Sequence, residues 1–580
     1  MASPRPAVVR VLCDSSGPDR TFDYLVPEER SDDVMVGSVV RVDLHGRRIG
    51  GWVIAVDPID ALELDRLLPI RKVTGRGPSA DVVDLAEWSA HRWAGRRSHF
   101  LRSASPPRAV VSIPPTRYSS LRPEPRSPAT TRLIARGGGV LRLPPASDVL
   151  PAIWSALAHG PTLVIVPGVD DAAVMAGRIR RAGVTVALLP DEWDRAAGGV
   201  DITVATRTGV FATLANLGCI VVVDEHDERL QSESAPTWHA RDVAIERGHQ
   251  AGIPVVMISP VPTPEARRTS AIEAPDRQRE VAGWPHIDVV DPTDHDGPAR
   301  NRVSSALLAE IRNDGRRVLC VTNTTGRSSL LACRSCRELT RCETCESVMA
   351  QTSDGDLACR RCGASRPAVC SWCGSSAFIN LRPGAARFAR ELAHATTRSV
   401  QLVEGDAIPV WSTDGDVADV IVGTEAILHR VRSADTVVLL DIDAELFAPR
   451  FRAGQQVLGL VAKAAHVVGN RGRGGRIIIQ TAHPEHRLLL ALVAADPGAA
   501  GEAESATRQA FGLPPFGGFA IIEGAGAAEF ASSLPTSVRV GGEGDRLQVR
   551  AESALALSDA LASAVRPTRG RLRVAVEPAR

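Results

Sequence analysis

Hydrophobic and polar positions alternate in two different ways along this chain, and the change divides it. From about Val8 to Val73 the apolar runs are short: Val8–Leu12, Phe22–Val26, Ser38–Val42 and Gly51–Ala55, separated by pieces such as Ser16-Gly17-Pro18-Asp19 and His45-Gly46-Arg47. Runs of this length bounded by turn residues predict a small β-rich module. Asp81 to Ala94 is an amphipathic helical stretch carrying Leu85, Trp88 and Trp93. Pro106-Pro107, Pro114-Pro115 and the Pro123–Pro128 segment then mark a linker.

Beyond Gly137-Gly138-Gly139 the apolar runs become continuous and alternate with helical segments: Thr162–Pro167, Ile202–Ala205, Ile220–Val223 and Pro254–Ile258. Such strands are expected in a parallel sheet covered on both faces. A second series follows at Arg317–Thr322, Asp419–Val422, Thr436–Leu440 and Arg476–Gln480. The fold class expected is therefore multidomain α/β, with two RecA-like lobes in tandem and a cysteine-rich stretch inserted after the first strand of the second. The tail from about Gly501 breaks at Leu513-Pro514-Pro515-Phe516 and resumes as an α+β domain. The expected boundaries are 1–110, a linker over 111–137, a first lobe over 138–300, a second over 301–332 and 375–500, an insert over 333–374, and a C-terminal domain over 501–580.

Composition narrows the class. At 580 residues the chain exceeds what one core supports, so about three to five domains are expected. The longest apolar stretch, Leu488 to Ala495, is far short of the roughly 20 residues of a spanning helix, and the N-terminus lacks an apolar signal core. A cytoplasmic protein with no membrane partner is expected. The net charge of +1 means that any nucleic-acid contact must come from local patches. Lysine occurs only at Lys72 and Lys463, and arginine supplies the remaining positive charge.

Eight of the 11 cysteines lie between Cys333 and Cys373, in four Cys-x₂-Cys knuckles: Cys333/Cys336, Cys342/Cys345, Cys359/Cys362 and Cys370/Cys373. Each knuckle presents two thiolates on adjacent tetrahedral vertices, so four knuckles complete two Cys₄ zinc sites. The long loop between the second and third knuckles favours Cys342, Cys345, Cys359 and Cys362 as one site, with Cys333, Cys336, Cys370 and Cys373 as the other. The remaining pairings stay open. Neither set leaves an open position, so two structural Zn²⁺ ions are expected. Cys13, Cys219 and Cys320 lie in apolar runs and read as core residues.

Taken in order, several segments resemble the replication restart protein PriA (primosomal protein N′) family, in its actinobacterial form. They are Asp19-Arg20-Thr21-Phe22-Asp23-Tyr24-Leu25-Val26-Pro27, Val36-Gly37-Ser38-Val39-Val40-Arg41-Val42, Trp238-His239-Ala240-Arg241-Asp242, the eight cysteines, Thr481-Ala482-His483-Pro484-Glu485-His486 and Gly512-Leu513-Pro514-Pro515-Phe516. The resemblance covers nearly the whole chain. It implies that residues 1–110 grip the free 3′ end of a nascent strand at a stalled fork, with Phe22, Asp23 and Gly46 at the pocket positions. An aromatic face can stack on any base, and a carboxylate can accept the hydroxyl hydrogen bond. A family lysine further along has no equivalent in this sequence. Implied partners are forked and single-stranded DNA, single-strand-binding protein, and primosome or helicase-loading proteins.

The family's motor motifs are worn. A phosphate loop needs glycines, a lysine and a Ser/Thr. The corresponding segment reads Leu143-Pro144-Pro145-Ala146-Ser147-Asp148, and neither lysine of the chain lies in such a loop. The strand end Val223-Asp224-Glu225-His226-Asp227 keeps Asp224 and Glu225 as residual nucleotide-cleft residues, but ungapped alignment puts Val223 at the Mg²⁺-associated aspartate. Asn323-Thr324-Thr325-Gly326 and Gly423-Thr424-Glu425 depart from their motifs, and Val467 and Asn470 stand where two arginines should reach the γ-phosphate. The winged-helix module of the family is expected to be missing or severely shortened in the linker. The expectation is a non-catalytic fork-binding protein that helps reload the replicative helicase, with no catalytic residues. The alternatives are a slow or partner-activated ATP-dependent 3′→5′ helicase and a zinc-dependent scaffold that contacts proteins only.

Overall fold

Five antiparallel strands open the chain: β1 (Val8–Cys13), β2 (Thr21–Leu25), β3 (Val39–Leu44), β4 (Arg47–Val56) and β5 (Lys72–Gly75), in the order β2-β1-β4-β3-β5. Alternation assigns their faces. Val9, Val11, Tyr24, Val40, Val42 and Val53 form one core. On the other face Leu12, Val39, Trp52 and Ile54 pack against the helices α1 (Ala80–Arg92) and α2 (Arg97–Ala104). The structure is a computed structural model; it describes residues 8–15, 19–58, 66–120, 124–269, 271–291, 303–322, 331–336, 340, 342–343, 349–352, 355–359, 364–380, 385–403, 418–448, 450–567 and 570–579.

The chain divides into two compact units: Met1–Leu143 with Ser147–Pro275 and Gly501–Arg580, and Pro144–Ala146 with Asp276–Ala500. In the first, described residues from 105 to 127 form no helix, and no strand beyond a bridge of Val110 to Arg76. This segment is tied to the sheet unit that follows: Thr116 Oγ1 donates to the Gly198 carbonyl at 2.7 Å, and Ser119 N–H to Asp201 Oδ2 at 2.8 Å. Part of the expected linker is instead the helix α3 (Pro128–Ala135), started by Ser127 accepting from Thr130 N–H. Its Leu133 is fully buried.

Seven strands follow in one sheet, β6 (Gly138–Leu141), β7 (Thr162–Ile165), β8 (Val186–Leu188), β9 (Ile202–Ala205), β10 (Cys219–Val223), β11 (Val255–Ile258) and β12 (Ile272–Glu273), ordered β12-β6-β11-β10-β7-β9-β8. All pairs are parallel. Successive residues alternate between two cores: Leu163, Ile165, Ile220 and Val222 in one, Val164, Cys219, Val221 and Val256 in the other. The four continuous runs seen in the sequence are β7, β9, β10 and β11. β6 was read only as a glycine boundary. Gly138 and Gly139 sit at φ +121° and +149°, and Cβ atoms there would meet the Val255 and Ala271 backbone at 2.3 and 2.5 Å, so the glycines permit close strand packing.

The second unit holds β13 (His286–Val290) and β14 (Val318–Val321). The short strands β15 (Leu331–Cys333), β16 (Ala350–Gln351), β17 (Leu357–Ala358), β18 (Ser365–Arg366) and β19 (Phe378–Asn380) follow. Then come β20 (Val400–Val403), β21 (Val420–Gly423), β22 (Thr436–Leu439) and β23 (Arg476–Gln480). Its large sheet, β13-β23-β22-β14-β21-β20, is parallel throughout. β13 pairs with β23, so this sheet begins before residue 301, and the cysteine insert follows its second strand rather than its first. β13 escaped notice because its sequence, His-Ile-Asp-Val-Val, alternates like an edge strand instead of running apolar. The C-terminal strands β24 (Gly518–Glu523), β25 (Arg539–Glu543), β26 (Arg546–Ala551) and β27 (Arg573–Val576) form an antiparallel sheet in the first unit. Among the described residues, no helix is long and apolar enough to cross a membrane.

Candidate DNA-binding and metal sites

β2 is an edge strand, so consecutive residues face opposite ways. Phe22 is half-buried against the Val9–Val53 core. Asp23 faces away from it and is taken by Arg10 on β1, its cross-strand partner, through Nε–Oδ1 at 2.8 Å and Nη2–Oδ2 at 3.0 Å. The Asp23 side chain is only 6% exposed. Gly46 is at the tip of the β3–β4 hairpin, where His45 (φ +49°) and Gly46 (φ +75°) make the left-handed turn that suits twisted strands. Nothing lies within 4 Å of a Cβ built at Gly46, so backbone conformation rather than space asks for glycine. β1 and β4 stand between β2 and β3 in the sheet order, while the end of β2 also bridges from Leu25 to Pro69, just before β5, the other neighbour of β3. The residue that sequence reasoning missed is Arg10; its signal was a single cation within the apolar run Val8–Leu12.

In the insert, β15 and β19 pair antiparallel with Cys333 opposite Phe378, which sets the first and fourth knuckles side by side. Cys333, Cys336, Cys370 and Cys373 bring their sulfurs within 4.8 Å of one another. Cys333 Sγ is 3.4 Å from Cys373 Sγ, and Cys336 Sγ 3.7 Å from Cys370 Sγ. Four sulfurs around a tetrahedral zinc at about 2.3 Å would stand about 3.8 Å apart, so the set fits a metal of that size. Backbone amides already favour thiolate. The Cys336 N–H lowers the Cys333 thiol to about 6, and the Cys373 N–H, followed by that of Trp372, lowers Cys370. By contrast, burial pushes Cys219 and Cys320 up to about 12, which keeps them as core thiols. Of the other four ligand candidates, Cys342 and Cys359 are buried beside Leu331, Met349 and Leu357. Cys345 and Cys362 lie outside the described residues.

Leu143 to Asp148 connects β6 to the helix α4 (Leu150–His159). Pro144 lies against Gly283, where an added Cβ would meet Pro144 Cβ at 2.3 Å. The Pro145 carbonyl accepts from His466 Nδ1 at 2.8 Å. Asp148 accepts from Leu150 N–H and Arg178. At the end of β10, Asp224 takes a left-handed conformation (φ +51°) and is half-buried. Glu225 is fully buried. Its Oε1 accepts from Arg241 Nη1 at 2.8 Å and from Thr263 Oγ1, and its Oε2 from Thr263 N–H at 3.2 Å. Arg241 also pairs with Asp242 at 2.8 Å. Burial works against the Arg241 charge, but Asp242 and then Glu225 more than offset it and raise its pKa. His226 Nδ1 meets Ser259 Oγ at 3.0 Å.

The Trp238–Asp242 segment is thereby explained: Trp238 packs on Phe211 and Phe100, His239 caps the helix Ala240–Ala251, and Arg241 serves Glu225. At Thr481, the hydroxyl and the Ala482 N–H both bond Asp443, while His483 and His486 meet Phe447 edge-on at 4.7 and 6.0 Å.

A β-rich N-terminal domain joined to parallel α/β lobes, with a cysteine insert in the second, defines a multidomain DNA-binding protein once residues 10–106 are compared with known families, because they match the 3'DNA-binding domain (3'BD) of PriA. The whole chain agrees. It is 30% identical over 566 residues to the probable replication restart protein PriA of Mycobacterium tuberculosis strain H37Rv, covering 87% of this chain and 85% of that protein. With the corresponding Mycobacterium leprae protein it shares 29% identity, covering 91% and 89%. With the replication restart protein PriA of Haemophilus influenzae it shares 27% over 57% of this chain and 48% of that one. The chain belongs to the PriA family of replication restart proteins.

Proposed function

We propose that this protein acts in replication restart by binding stalled or repaired forks at a nascent 3′ end and helping to reload the replicative helicase, without itself hydrolysing ATP. The observation that carries the reading is the β6–α4 connection. On the RecA-like reading of the lobe, this is where the phosphate loop belongs, yet it supplies Pro144 and Pro145, no glycine and no lysine. Proline has no amide to give a phosphate, and without the lysine the β- and γ-phosphates lose their cation. Glu225, the alternative base, has both carboxylate oxygens engaged. With Val467 and Asn470 at the arginine positions, the charge stabilisation that two arginines there would give to phosphoryl transfer is lost.

The cysteine insert fits a structural role: Cys333, Cys336, Cys370 and Cys373 would hold one zinc, and Cys342, Cys345, Cys359 and Cys362 a second. With all four positions of each ion filled by sulfur, the metal supplies folding energy and leaves no site for a reacting water.

Full-length protein assayed with forked DNA tests the reading. DNA-stimulated phosphate release should be absent, and a fork with a 3′-OH leading strand should bind more tightly than one with a blocked end at matched salt. Phosphate release that disappears in the Asp224→Ala, Glu225→Ala double variant, compared with equally folded protein, would instead make the chain a motor.

A further inference from the structure

The face of the N-terminal sheet that carries Leu12, Val39, Trp52 and Ile54 changes character along its length. Where those residues sit it is roofed by α1 and α2. Toward the β3–β4 hairpin the same face presents Arg41 and Asp43 on β3, Arg48 and Gly50 on β4, and Lys72 on β5. Their neighbours Val40, Val42, Ile49 and Val73 point into the opposite core, which fixes the outward direction of the charged set.

The charges there are left open. Arg41, Arg48 and Lys72 are exposed, and none makes an ion pair among the described residues. Among the described residues two carboxylates lie beside them, Asp43, directly opposite Arg48 on the ladder, and Asp14, and each is engaged by another arginine. Asp43 is held by Arg71 at 2.6 Å, and Asp14, whose N–H bonds the Gly50 carbonyl, is held by Arg102. Moreover, Arg41 and Lys72 are direct cross-strand partners. Like charges placed opposite one another on a sheet destabilise it by a few tenths of a kcal/mol to about 1 kcal/mol. Gly50, opposite Arg41, puts no side chain between them and solvent.

A row of exposed cations across three adjacent strands, none of them ion-paired among the described residues, suits a polyanion whose charges recur at similar spacing. The geometry points to a phosphate-backbone track on the outward face of β3, β4 and β5, with Arg41, Arg48 and Lys72 as its contacts and the DNA strand or duplex behind the 3′ end as its ligand. The inference rests on the fork-binding reading above but concerns a different contact. The track reads no sequence and no terminal hydroxyl, only phosphate.

Its signature is the salt dependence of binding. Each phosphate neutralised contributes about 0.9 to the slope of log K against log salt for duplex and about 0.7 for single strands. Full-length protein and the Arg41→Gln, Arg48→Gln, Lys72→Gln triple variant would be titrated with forks ending in 3′-OH or in 3′-phosphate, at several salt concentrations. The triple variant should lose roughly 2 to 3 from the slope and at least tenfold in affinity at low salt, equally for both ends. A charge-keeping Arg41→Lys, Arg48→Lys, Lys72→Arg variant should retain the wild-type slope. An unchanged slope in the triple variant, or a reduced one in the charge-keeping variant, overturns the track. If wild type shows no preference for the 3′-OH fork while the triple variant still loses slope, the track stands and the end-recognition reading falls.

Discussion

Two regions of this chain concentrate charge, and they treat it in opposite ways. Around the end of β10, Glu225, Arg241 and Thr263 satisfy one another out of reach of solvent, with Asp242 closing the cluster from a partly exposed position. On the outward face of β3, β4 and β5, Arg41, Arg48 and Lys72 stand exposed with no ion pair among the described residues. The first arrangement has the position of a catalytic motif and the bonding of a structural tie; the second has no motif at all and the bonding of a binding surface. Where a charge finds its counter-charge says more about its role than the sequence pattern that brought it to notice. A charge closed on itself stabilises a fold, and an open one awaits a ligand.

The cysteine cluster is the negative counterpart of the open face, and it gives the largest effect. Four sulfurs lie within 4.8 Å, with amides that favour the thiolate at Cys333 and Cys370. Among the described residues no ion pair offsets that charge in the way Arg241 offsets Glu225, and the four sulfurs could hold a metal ion that would. Chelation, or a Cys336→Ser change, should remove on the order of 10 kcal/mol from the folding of the insert. Metal analysis should show one ion per chain fewer in the Cys336→Ser variant than in wild type, with the insert becoming protease-sensitive. Full metal content with an intact insert in that variant would remove Cys336 from the ligand set.

Next in size is the closed cluster. Removing one member of a buried ion pair leaves the other uncompensated and costs about 3–5 kcal/mol. Glu225→Ala should therefore lower the unfolding free energy of the first unit, read from urea titration, by that amount, and Arg241→Met in the same chain should recover much of the loss. A Glu225→Ala protein within about 1 kcal/mol of wild type by urea unfolding would place this carboxylate among open charges. That would restore its candidacy as a working base.

Much of this could be read before the fold was known, and what could not has physical causes. β7, β9, β10 and β11 announced themselves because both faces are buried and every residue is apolar. The outer cysteine pairing was favoured by loop length, and the β15–β19 ladder is what brings Cys333 beside Cys373. β6 and β13 went unread because one is half glycine and the other lies at a sheet edge. Asp23 and Glu225 stood out as acids in motif positions, but their partners, Arg10 and Arg241, lie 13 and 16 residues away. Only pairing and packing reveal whether such an acid is free. The basic face was invisible for the same reason: Arg41, Arg48 and Lys72 are scattered in sequence and meet through strand register.

The smallest effect is also the one that separates the two regions most cleanly. Arg41 faces Lys72 across the ladder, so neutralising it relieves a repulsion instead of breaking a bond. Arg41→Gln should leave stability unchanged, or raise it by a few tenths of a kcal/mol, in thermal and urea unfolding. The same variant should bind forked DNA more weakly, with about one unit less salt slope. Loss of stability comparable to that of Glu225→Ala would mean that the guanidinium is tied into the domain after all, and the distinction between closed and open charge would fail at the place where it is drawn most sharply.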